Sequence, residues 1–276
     1  MIVGQTRYSI LAPDSKAWRV SRGDAFSSYQ QYKDYLFSEK RLEDRNTIFI
    51  EQTLPTLADT ARKLELKHII SYSTQLPGKY RVFLEESATK YDFIILDPLE
   101  VGETPMSPDS IAAEVLNGNG VYGKYRLDDD DIVSKTFFDR MSEYIHPHNV
   151  GMVVSFPRGV VAVWDGGITN VREAYWPKIA IGLTSVCEVR KGISFKGPKY
   201  NSHTSVDTHA PLILDGRYVS YIRLMTLEQD TTVGTDAGAD LTALKDSLKR
   251  YPELDKEISL DILFPHSKMY LENGNT

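Results

Sequence analysis

Four consecutive aspartates, at positions 128 to 131, follow an apolar segment that we expect to form a strand over residues 121–127. An acidic run is ordinarily a solvated loop or a helix N-terminus, where carboxylates interact favourably with the helix dipole. That interpretation accounts for Asp131 and in part for Asp130. It explains Asp128 and Asp129 less well, because ligands bind at the carboxyl ends of strands in α/β sheets. Carboxylates there suit Mg²⁺ or Mn²⁺ with substrate phosphate oxygens as further ligands, so the aspartate run predicts a metal-diphosphate site.

A glycine-rich segment, residues 118–124, matches the pattern G-x-G-x-x-G and most of a P-loop. A dinucleotide-binding loop must follow a strand and open a helix, so that the helix N-terminus faces the pyrophosphate. This segment instead follows a predicted helix and leads into a strand, and Tyr125 stands where a P-loop needs Ser or Thr. We therefore interpret the segment as a flexible turn.

The elements that must position the aspartate run alternate between strand and helix. Apolar runs bounded by turn residues predict strands at residues 2–11, 68–73, 91–97 and 121–127. Apolar spacings of three and four predict two or three helices within 28–63, and further helices at 80–89, 111–116 and 132–145. Ser107 can cap one of these helices, and Pro108 suits its first turn. The alternation predicts an α/β fold with a Rossmann-like, mainly parallel central sheet flanked by helices.

The second half of the chain is richer in strand signals. Apolar segments at 152–156 and 159–164 are separated by Pro157 and Arg158, which predicts a hairpin. A strand is expected within 217–225 and a helix over 241–254. We expect a single domain over residues 1–265, with halves at about 1–131 and 132–265, and a loose tail over 266–276.

Composition restricts the class of protein. The chain has 276 residues, a net charge of -6 and 25% charged residues, and no stretch of Lys and Arg extensive enough to neutralise a run of phosphates, so nucleic acid is not an expected partner. The one cysteine, Cys187, excludes an intramolecular disulfide and fits a reducing cytoplasm. No 18-residue apolar run occurs. We expect a cytoplasmic protein whose membrane contact, at the inner face, is at most peripheral.

The segment 125–131, Y-R-L-D-D-D-D, resembles the L-D-x-D-D form of the DxD motif in GT-A glycosyltransferases. Over about residues 3–235 the chain is similar to the family of putative rhamnosyltransferases, through the stretches 6–9, 41–49, 54–57, 72–77 and 229–231. The resemblance implies a GT-A-like fold in which the first half binds a nucleotide-diphosphate sugar and the second half binds a glycan or lipid-linked acceptor. It further implies L-rhamnose as the transferred sugar and a role in bacterial surface polysaccharide synthesis.

The resemblance also assigns roles to individual residues. It makes Asp128 and Asp130 the leading ligands of a Mn²⁺ or Mg²⁺ ion, and it places Asp128 and Asp129 beside the nucleotide-sugar. The nucleotide's base and ribose would lie against the ends of the first two strands, at Thr6, Arg7, Ser71 and Tyr72. Arg62 is a candidate for the base or the phosphates. Arg7 is equally interpretable as a surface charge, and Arg62 as a solvated helix residue.

Glycosyl transfer passes through an oxocarbenium-like state, and a bound cation can stabilise the leaving diphosphate. An inverting enzyme also needs a carboxylate on the acceptor side as general base, for which Asp230 and Asp207 are the candidates. Either could instead be a hydrogen-bonded turn aspartate. His209 is a candidate third metal ligand and, like His203, could contact the acceptor or be a structural polar residue.

Two other functions use the same acidic cluster. A nucleotidyltransferase acting on sugar phosphates would need the same metal-carboxylate site, and a noncatalytic module could hold Ca²⁺ there. An inverting, metal-dependent glycosyltransferase is the function that we expect.

Overall fold

The computed structural model describes residues 1–13, 26, 28–229 and 240–272, and these residues form two β-sheets. The larger sheet contains β1 (Ile2–Tyr8), β2 (Leu66–Ser73), β3 (Ile94–Leu99), β4 (Gly120–Asp128), β6 (Val153–Ser155), β9 (Thr184–Arg190), β10 (Ser194–Lys196) and β11 (Leu212–Leu214). The smaller sheet contains β5 (Asp131–Val133), β7 (Arg158–Trp164), β8 (Ile168–Tyr175) and β12 (Tyr221–Met225).

The larger sheet has the strand order β11-β6-β9-β4-β1-β2-β3, with β10 paired to β9. The pairs β1–β2, β2–β3, β1–β4 and β6–β11 are parallel, whereas β9 runs antiparallel to β4, β6 and β10. The predicted α/β fold with a mainly parallel central sheet is therefore confirmed. In the smaller sheet the order is β5-β12-β7-β8.

The helices are α1 (Tyr29–Leu36), α2 (Glu39–Ile48), α3 (Leu54–Ala61), α4 (Gly78–Lys90), α5 (Pro108–Val115), α6 (Phe137–Ser142), α7 (Leu241–Leu248) and α8 (Leu260–Leu263). A π-helical turn, Phe49–Thr53, joins α2 to α3. Short 3₁₀ helices occur at Pro147–Asn149, His203–Thr208 and Pro265–Tyr270. In the described part of the chain, no helix is long and apolar enough to cross a bilayer.

Local sequence explains where several helices begin. The Ser28 hydroxyl accepts a hydrogen bond from the Gln31 N–H at 3.2 Å and so caps α1. Ser107 caps α5 in the same way through the Asp109 N–H, with Pro108 in the first turn, as the sequence predicts. These caps matter because the first four N–H groups of a helix have no partner inside it.

Two predictions for the second half were wrong. The segments around Val154 and Val161 do not form a hairpin, because β6 belongs to the larger sheet and β7 to the smaller one. Pro157 and Arg158 connect the two sheets instead of turning one strand back on the other. The helix expected at 132–145 covers only α6, because Ile132 and Val133 pair with β12 as strand β5.

Two clusters of buried side chains form most of the core. One lies between the larger sheet and the helices α2 to α4 and α6, and includes Leu42, Phe49, Ile70, Leu84 and Phe138. The other lies on the smaller sheet and includes Ile132, Val160, Ile222 and Phe264. The aspartate run leaves the end of β4 and enters β5, so it crosses from one sheet to the other.

Candidate functional site

A cavity of about 350 Å³ lies at the carboxyl ends of β1 and β4. Arg7 on β1 and Asp128 on β4 are direct neighbours in the parallel register, so both reach this edge of the sheet. The charged side chains that line the cavity are Arg7, Arg41, Arg45, Arg126, Arg223 and the four aspartates 128 to 131. Five guanidinium groups thus face four carboxylates around one space.

Arg45, on α2, holds the middle of the aspartate run. Its Nη1 lies 2.6 Å from Asp129 Oδ1 and 2.7 Å from Asp130 Oδ2, and the three side chains are at most 10% exposed. The Gln229 Nε2 group donates a further hydrogen bond to Asp130 Oδ2 at 3.1 Å. Charge-assisted hydrogen bonds of this kind offset the cost of burying adjacent carboxylates.

The two ends of the run differ in their surroundings. Asp131 is buried, and its Oδ2 accepts the Asp128 backbone N–H at 2.8 Å. Burial, followed by the charges of Asp128 and Asp130, raises the pKa of Asp131 well above its ordinary value. The Asp128 side chain is 42% exposed and pairs with Arg126 Nε at 3.2 Å. Asp128 is therefore the carboxylate of the run that is open to a ligand.

Burial is also the largest influence on the pKa of Asp129. It raises the pKa of this carboxyl, although the charges of Arg45 and Arg41 act in the opposite direction. Burial together with the neighbouring Arg126 lowers the pKa of Arg7. A polyanionic ligand would relieve the repulsion between these two guanidinium groups, so the mouth of the cavity favours an anion.

Cations reach the cavity from four separate elements, namely β1, β4, α2 and β12. Arg41 on α2 donates from Nη1 to Ser9 Oγ at 3.0 Å and to the Leu36 carbonyl oxygen at 3.1 Å. Arg223 on β12 lies over the Trp176 ring, 5.2 Å from its centroid, so its guanidinium is held beside the cavity by an aromatic face. The second sheet thus contributes a charge to a site whose other charges come from the first half.

His203 lines the cavity from the 3₁₀ helix His203–Thr208. Its Nδ1 lies 2.6 Å from the Lys178 carbonyl oxygen, and a carbonyl oxygen can only accept a hydrogen bond. Nδ1 therefore carries the proton in the neutral ring, which leaves the lone pair on Nε2. The ring is equipped to accept a proton from a bound hydroxyl group.

The site can be tested for the divalent ion that the resemblance implies. Among the described residues, no group of three or more His, Cys, Asp or Glu side chains is arranged to hold a metal. Mg²⁺ is nevertheless commonly bound by one or two carboxylates together with water and substrate phosphates. The exposed carboxylate of Asp128 can supply one such oxygen. Asp129 Oδ2 can supply another, because it is buried and has no hydrogen-bond partner among the described residues. These residues fit a cation that takes its remaining ligands from a diphosphate.

The structure brings together six of the residues that the sequence singled out, namely Arg7, His203 and the four aspartates 128 to 131. Asp130, predicted as a metal ligand, is engaged by Arg45 and Gln229. The metal ligands and the nucleotide contacts remain predictions.

Three other predicted nucleotide contacts lie beside the cavity lining and not in it. Thr6 is fully buried, with its Oγ1 3.0 Å from His68 Nε2. Ser71 donates to Asp97 Oδ2 at 2.7 Å, and Tyr72 packs in the main core. The alternation of side chains along a strand explains the difference between Thr6 and its neighbour Arg7, because successive residues point to opposite faces.

Arg62, Asp207 and His209 do not line the cavity. The Arg62 side chain is 76% exposed and pairs with Asp59 on the same helix. His209 is exposed, and its Nδ1 lies 3.0 Å from the Ser205 carbonyl oxygen. Asp207 pairs with Lys178 at 2.9 Å, and this hydrogen bond lowers the pKa of the Asp207 carboxyl. Asp230 falls outside the described residues.

Sequence reasoning missed Arg41, Arg45, Arg126, Arg223 and Gln229. Arg41 and Arg45 stand four residues apart on α2, on the face that also carries the buried Leu42 and Ile48. Two basic residues on the apolar face of a predicted helix are a signal that could have found them, because a buried Arg requires an anionic partner. Arg126 stands inside the motif itself.

Comparison with known proteins comes from a family model and from solved structures. Residues 1–235 match the family model described as "Putative rhamnosyl transferase". No curated protein matches the chain in sequence.

Similar solved structures include Staphylococcus aureus TarS, at 12% identity and a TM-score of 0.37 over 90% of this chain; the match spans 41% of the TarS chain. A structure of TarS 1–349 in complex with UDP-GlcNAc is 10% identical with a TM-score of 0.39, over 93% of this chain and 68% of the other. A putative glucose-1-phosphate thymidylyltransferase from Bacillus anthracis is 11% identical with a TM-score of 0.33, over 93% of this chain and 98% of the other.

Proposed function

This chain belongs to the putative rhamnosyl transferase family, and on that premise we propose that it is a glycosyltransferase whose cavity binds a nucleotide-diphosphate sugar. The sugar is transferred to a glycan or lipid-linked acceptor. The family description names rhamnosyl transfer. L-rhamnose as the sugar and surface polysaccharide synthesis as the pathway are part of the proposal.

The observation that carries this proposal is the convergence of Arg7, Arg126 and Arg223 on the cavity that also holds the aspartate run. Arg7 and Arg126 come from adjacent parallel strands, and Arg223 comes from the second sheet. A diphosphate carries several negative charges, and guanidinium groups match phosphate oxygens in charge and in planar geometry.

A divalent ion, Mn²⁺ or Mg²⁺, is part of the proposal, held by Asp128 with Asp129 and the donor's phosphates. When bound, the ion would supply positive charge that stabilises the leaving nucleoside diphosphate. Arg7 and Arg126 would donate hydrogen bonds to the phosphate oxygens of the leaving nucleoside diphosphate.

We assign transfer to an inverting displacement. A hydroxyl oxygen of the acceptor forms a bond to the anomeric carbon while the bond from that carbon to the phosphate oxygen breaks. The hydroxyl proton passes to a general base on the acceptor side. His203 lines the cavity and carries its lone pair on Nε2, so this nitrogen is our candidate acceptor of the proton, whereas Asp207 is already engaged by Lys178. Asp230 remains the other candidate base.

Thermal unfolding with a panel of nucleoside diphosphates and nucleotide-sugars, each with and without Mn²⁺, tests the donor site. A ligand at 100 times its Kd stabilises the folded state by about 2.7 kcal/mol. We expect one nucleoside diphosphate to raise the unfolding temperature more strongly with Mn²⁺ than without it. No shift with any compound, in a folded sample, would contradict the proposal.

Product analysis separates the transferase from the other functions. Incubation with the stabilising nucleotide-sugar should release nucleoside diphosphate slowly, by hydrolysis or by transfer. Release of pyrophosphate from a nucleoside triphosphate and a sugar phosphate would instead identify a nucleotidyltransferase. Binding of Ca²⁺ with neither product would identify a noncatalytic module.

A further inference from the structure

The turn between β9 and β10 exposes large apolar side chains. Ile193 is 84% exposed and Phe195 is 44% exposed. The turn lies at the end of the larger sheet opposite the cavity, because β9 is antiparallel to β4 and Val189 pairs with Gly120 at the start of β4. We name residues 190–199 the basic hairpin.

Positive charge surrounds these apolar side chains. Arg190, Lys191, Lys196 and Lys199 are exposed, and no Asp or Glu occurs between Glu188 and Asp207. Glu188 pairs with Arg190 at 3.0 Å and offsets one of the four charges. The segment is therefore cationic in a chain whose net charge is -6.

The turn is held in place by the glycine-rich segment that resembled a nucleotide-binding loop. The Gly192 N–H donates to the Gly118 carbonyl oxygen at 2.9 Å, and the Lys191 N–H donates to Asn119 Oδ1 at 3.1 Å. A Cβ on Gly118, where φ is +78°, would lie 2.9 Å from the Gly192 nitrogen. Gly118 therefore allows the two turns to approach closely.

Anchoring of the turn makes the exposure of Ile193 informative. A freely moving turn could fold its apolar side chain back onto the protein, but these two hydrogen bonds fix the backbone at Lys191 and Gly192, directly before Ile193. Gly197 closes the hairpin over Cys187, since a Cβ there would lie 2.6 Å from Cys187 Sγ. The fold thus presents Ile193 to the surroundings instead of burying it, which gives no stabilisation to the isolated chain.

An anionic lipid surface matches both properties. Lys and Arg side chains are attracted to anionic headgroups, and apolar side chains gain free energy when they enter the boundary between headgroups and acyl chains. A nucleic acid or an acidic polymer would use the charges but would leave Ile193 in water. We propose that the basic hairpin docks this protein onto an anionic membrane surface, with Ile193 and Phe195 inserted and the lysines on the headgroups.

Sedimentation with lipid vesicles tests this proposal on the full chain and does not depend on the donor site. Vesicles of phosphatidylcholine with about 30% phosphatidylglycerol should bind the protein, and vesicles of phosphatidylcholine alone should not. The substitutions Lys191→Ser and Lys196→Ser should each weaken binding about fivefold, because each removes one positive charge. The pair Ile193→Ser and Phe195→Ser should weaken it by about tenfold or more.

A matched control and an insertion measurement complete the test. Met269 is 81% exposed but lies outside the hairpin, so Met269→Ser should bind like the unchanged protein. Cys187 is buried, and burial raises the pKa of its thiol to about 11, so a cysteine introduced at position 193 can be labelled selectively. An environment-sensitive fluorophore at position 193 should shift to the blue on the anionic vesicles, and one at position 269 should not.

Three outcomes would overturn the proposal. One is failure of the folded protein to bind the phosphatidylglycerol vesicles. Another is undiminished binding by the Ile193 and Phe195 variant, or the same binding to a single-stranded oligonucleotide, either of which would mean a surface that recognises charge alone. A third is a dimer in solution that the Ile193 and Phe195 variant dissociates, because β10 would then be covered by a second copy.

Discussion

Arg45 and Asp129 form a buried ion pair between helix α2 and the aspartate run, with Arg45 Nη1 2.6 Å from Asp129 Oδ1. The same nitrogen lies 2.7 Å from Asp130 Oδ2. One guanidinium thus neutralises the centre of a run of four carboxylates, and Asp128 is left at the cavity surface with a 42% exposed side chain. The pair therefore positions the carboxylate that is open to a ligand.

Replacing Arg45 by Met should destabilise the protein by about 3–5 kcal/mol, because removing one partner leaves buried charges uncompensated. The deficit should be smaller at pH 5 than at pH 8. Burial raises the pKa of Asp129, so this carboxyl binds more protons in the folded state than in the unfolded chain. It therefore destabilises the folded state only as pH rises above the pKa that the carboxyl has in the unfolded chain. Urea unfolding of both proteins at the two pH values measures this.

Lys63→Met is the control for Arg45→Met, since Lys63 is 59% exposed and pairs with Asp139 at 3.1 Å on the surface. Exposed pairs contribute about 0–1 kcal/mol, so little change is expected. Equal losses in the two variants would contradict a central role for the Arg45 pair.

The architecture could be predicted because it follows from local patterns. Alternating strand and helix signals gave the parallel sheet, and Ser107 with Pro108 gave the start of α5. The hairpin prediction failed at Pro157 and Arg158 because a turn signal does not reveal whether the next strand returns to the same sheet. Sheet membership depends on pairing with distant strands, here β9 for β6 and β12 for β7.

The site was predicted only in part, because local patterns reveal some of its residues while others are brought together by contacts between distant parts of the chain. The aspartate run and Arg7 were visible because the run follows a recognisable strand and Arg7 lies within another. Arg45 and Asp129 are 84 residues apart in sequence, and no local pattern pairs them. Thr6 and Arg7 are adjacent, yet only Arg7 lines the cavity, so the face of β1 on which each lies decided the outcome.

Replacing Arg126 by Gln should weaken binding of the stabilising nucleoside diphosphate about 10- to 100-fold, which corresponds to the loss of one or two hydrogen bonds to a charged group. Arg126 lines the cavity and its Nε lies 3.2 Å from Asp128 Oδ1, so in the proposed complex its guanidinium would donate hydrogen bonds to the diphosphate beside the exposed carboxylate. Isothermal titration calorimetry with and without Mn²⁺ measures the affinity.

Arg62→Gln tests the alternative that was predicted from the sequence. Because its side chain is 76% exposed and pairs with Asp59, we expect an unchanged affinity. A loss at Arg62 as large as that at Arg126 would place the phosphates on α3 instead of in the cavity.

Replacing His203 by Ala should lower the rate of transfer, kcat, by about 10²- to 10⁴-fold if Nε2 accepts the acceptor proton. Donor affinity should change little, and added imidazole should restore part of the rate by occupying the vacated space. A merely structural role would lower affinity or stability without imidazole rescue. His209→Ala is the matched control, because His209 is exposed and its ring bonds to its own 3₁₀ segment. Full transfer activity in His203→Ala would leave Asp230 as the base.

His68 predicts how stability depends on pH. It lies on β2 and is fully buried, with Nδ1 2.8 Å from the Tyr125 hydroxyl on β4 and Nε2 3.0 Å from Thr6 Oγ1 on β1. Burial lowers the pKa of His68 from 6.5 to about 3. The folded state therefore binds fewer protons than the unfolded chain between these two values, and stability that is present above pH 6.5 is lost as pH falls.

Between pH 6.5 and pH 5 this one histidine should cost about 2 kcal/mol of unfolding free energy, at about 1.4 kcal/mol per pH unit. His68→Gln keeps hydrogen-bonding groups but does not titrate, so its stability should fall less steeply over the same range, whatever its absolute stability. Urea unfolding at four pH values for both proteins gives the two slopes, and groups common to both cancel in the difference. Parallel slopes would show that His68 accepts a proton in the folded state, which would require water to reach its ring beside Thr6 and Tyr125.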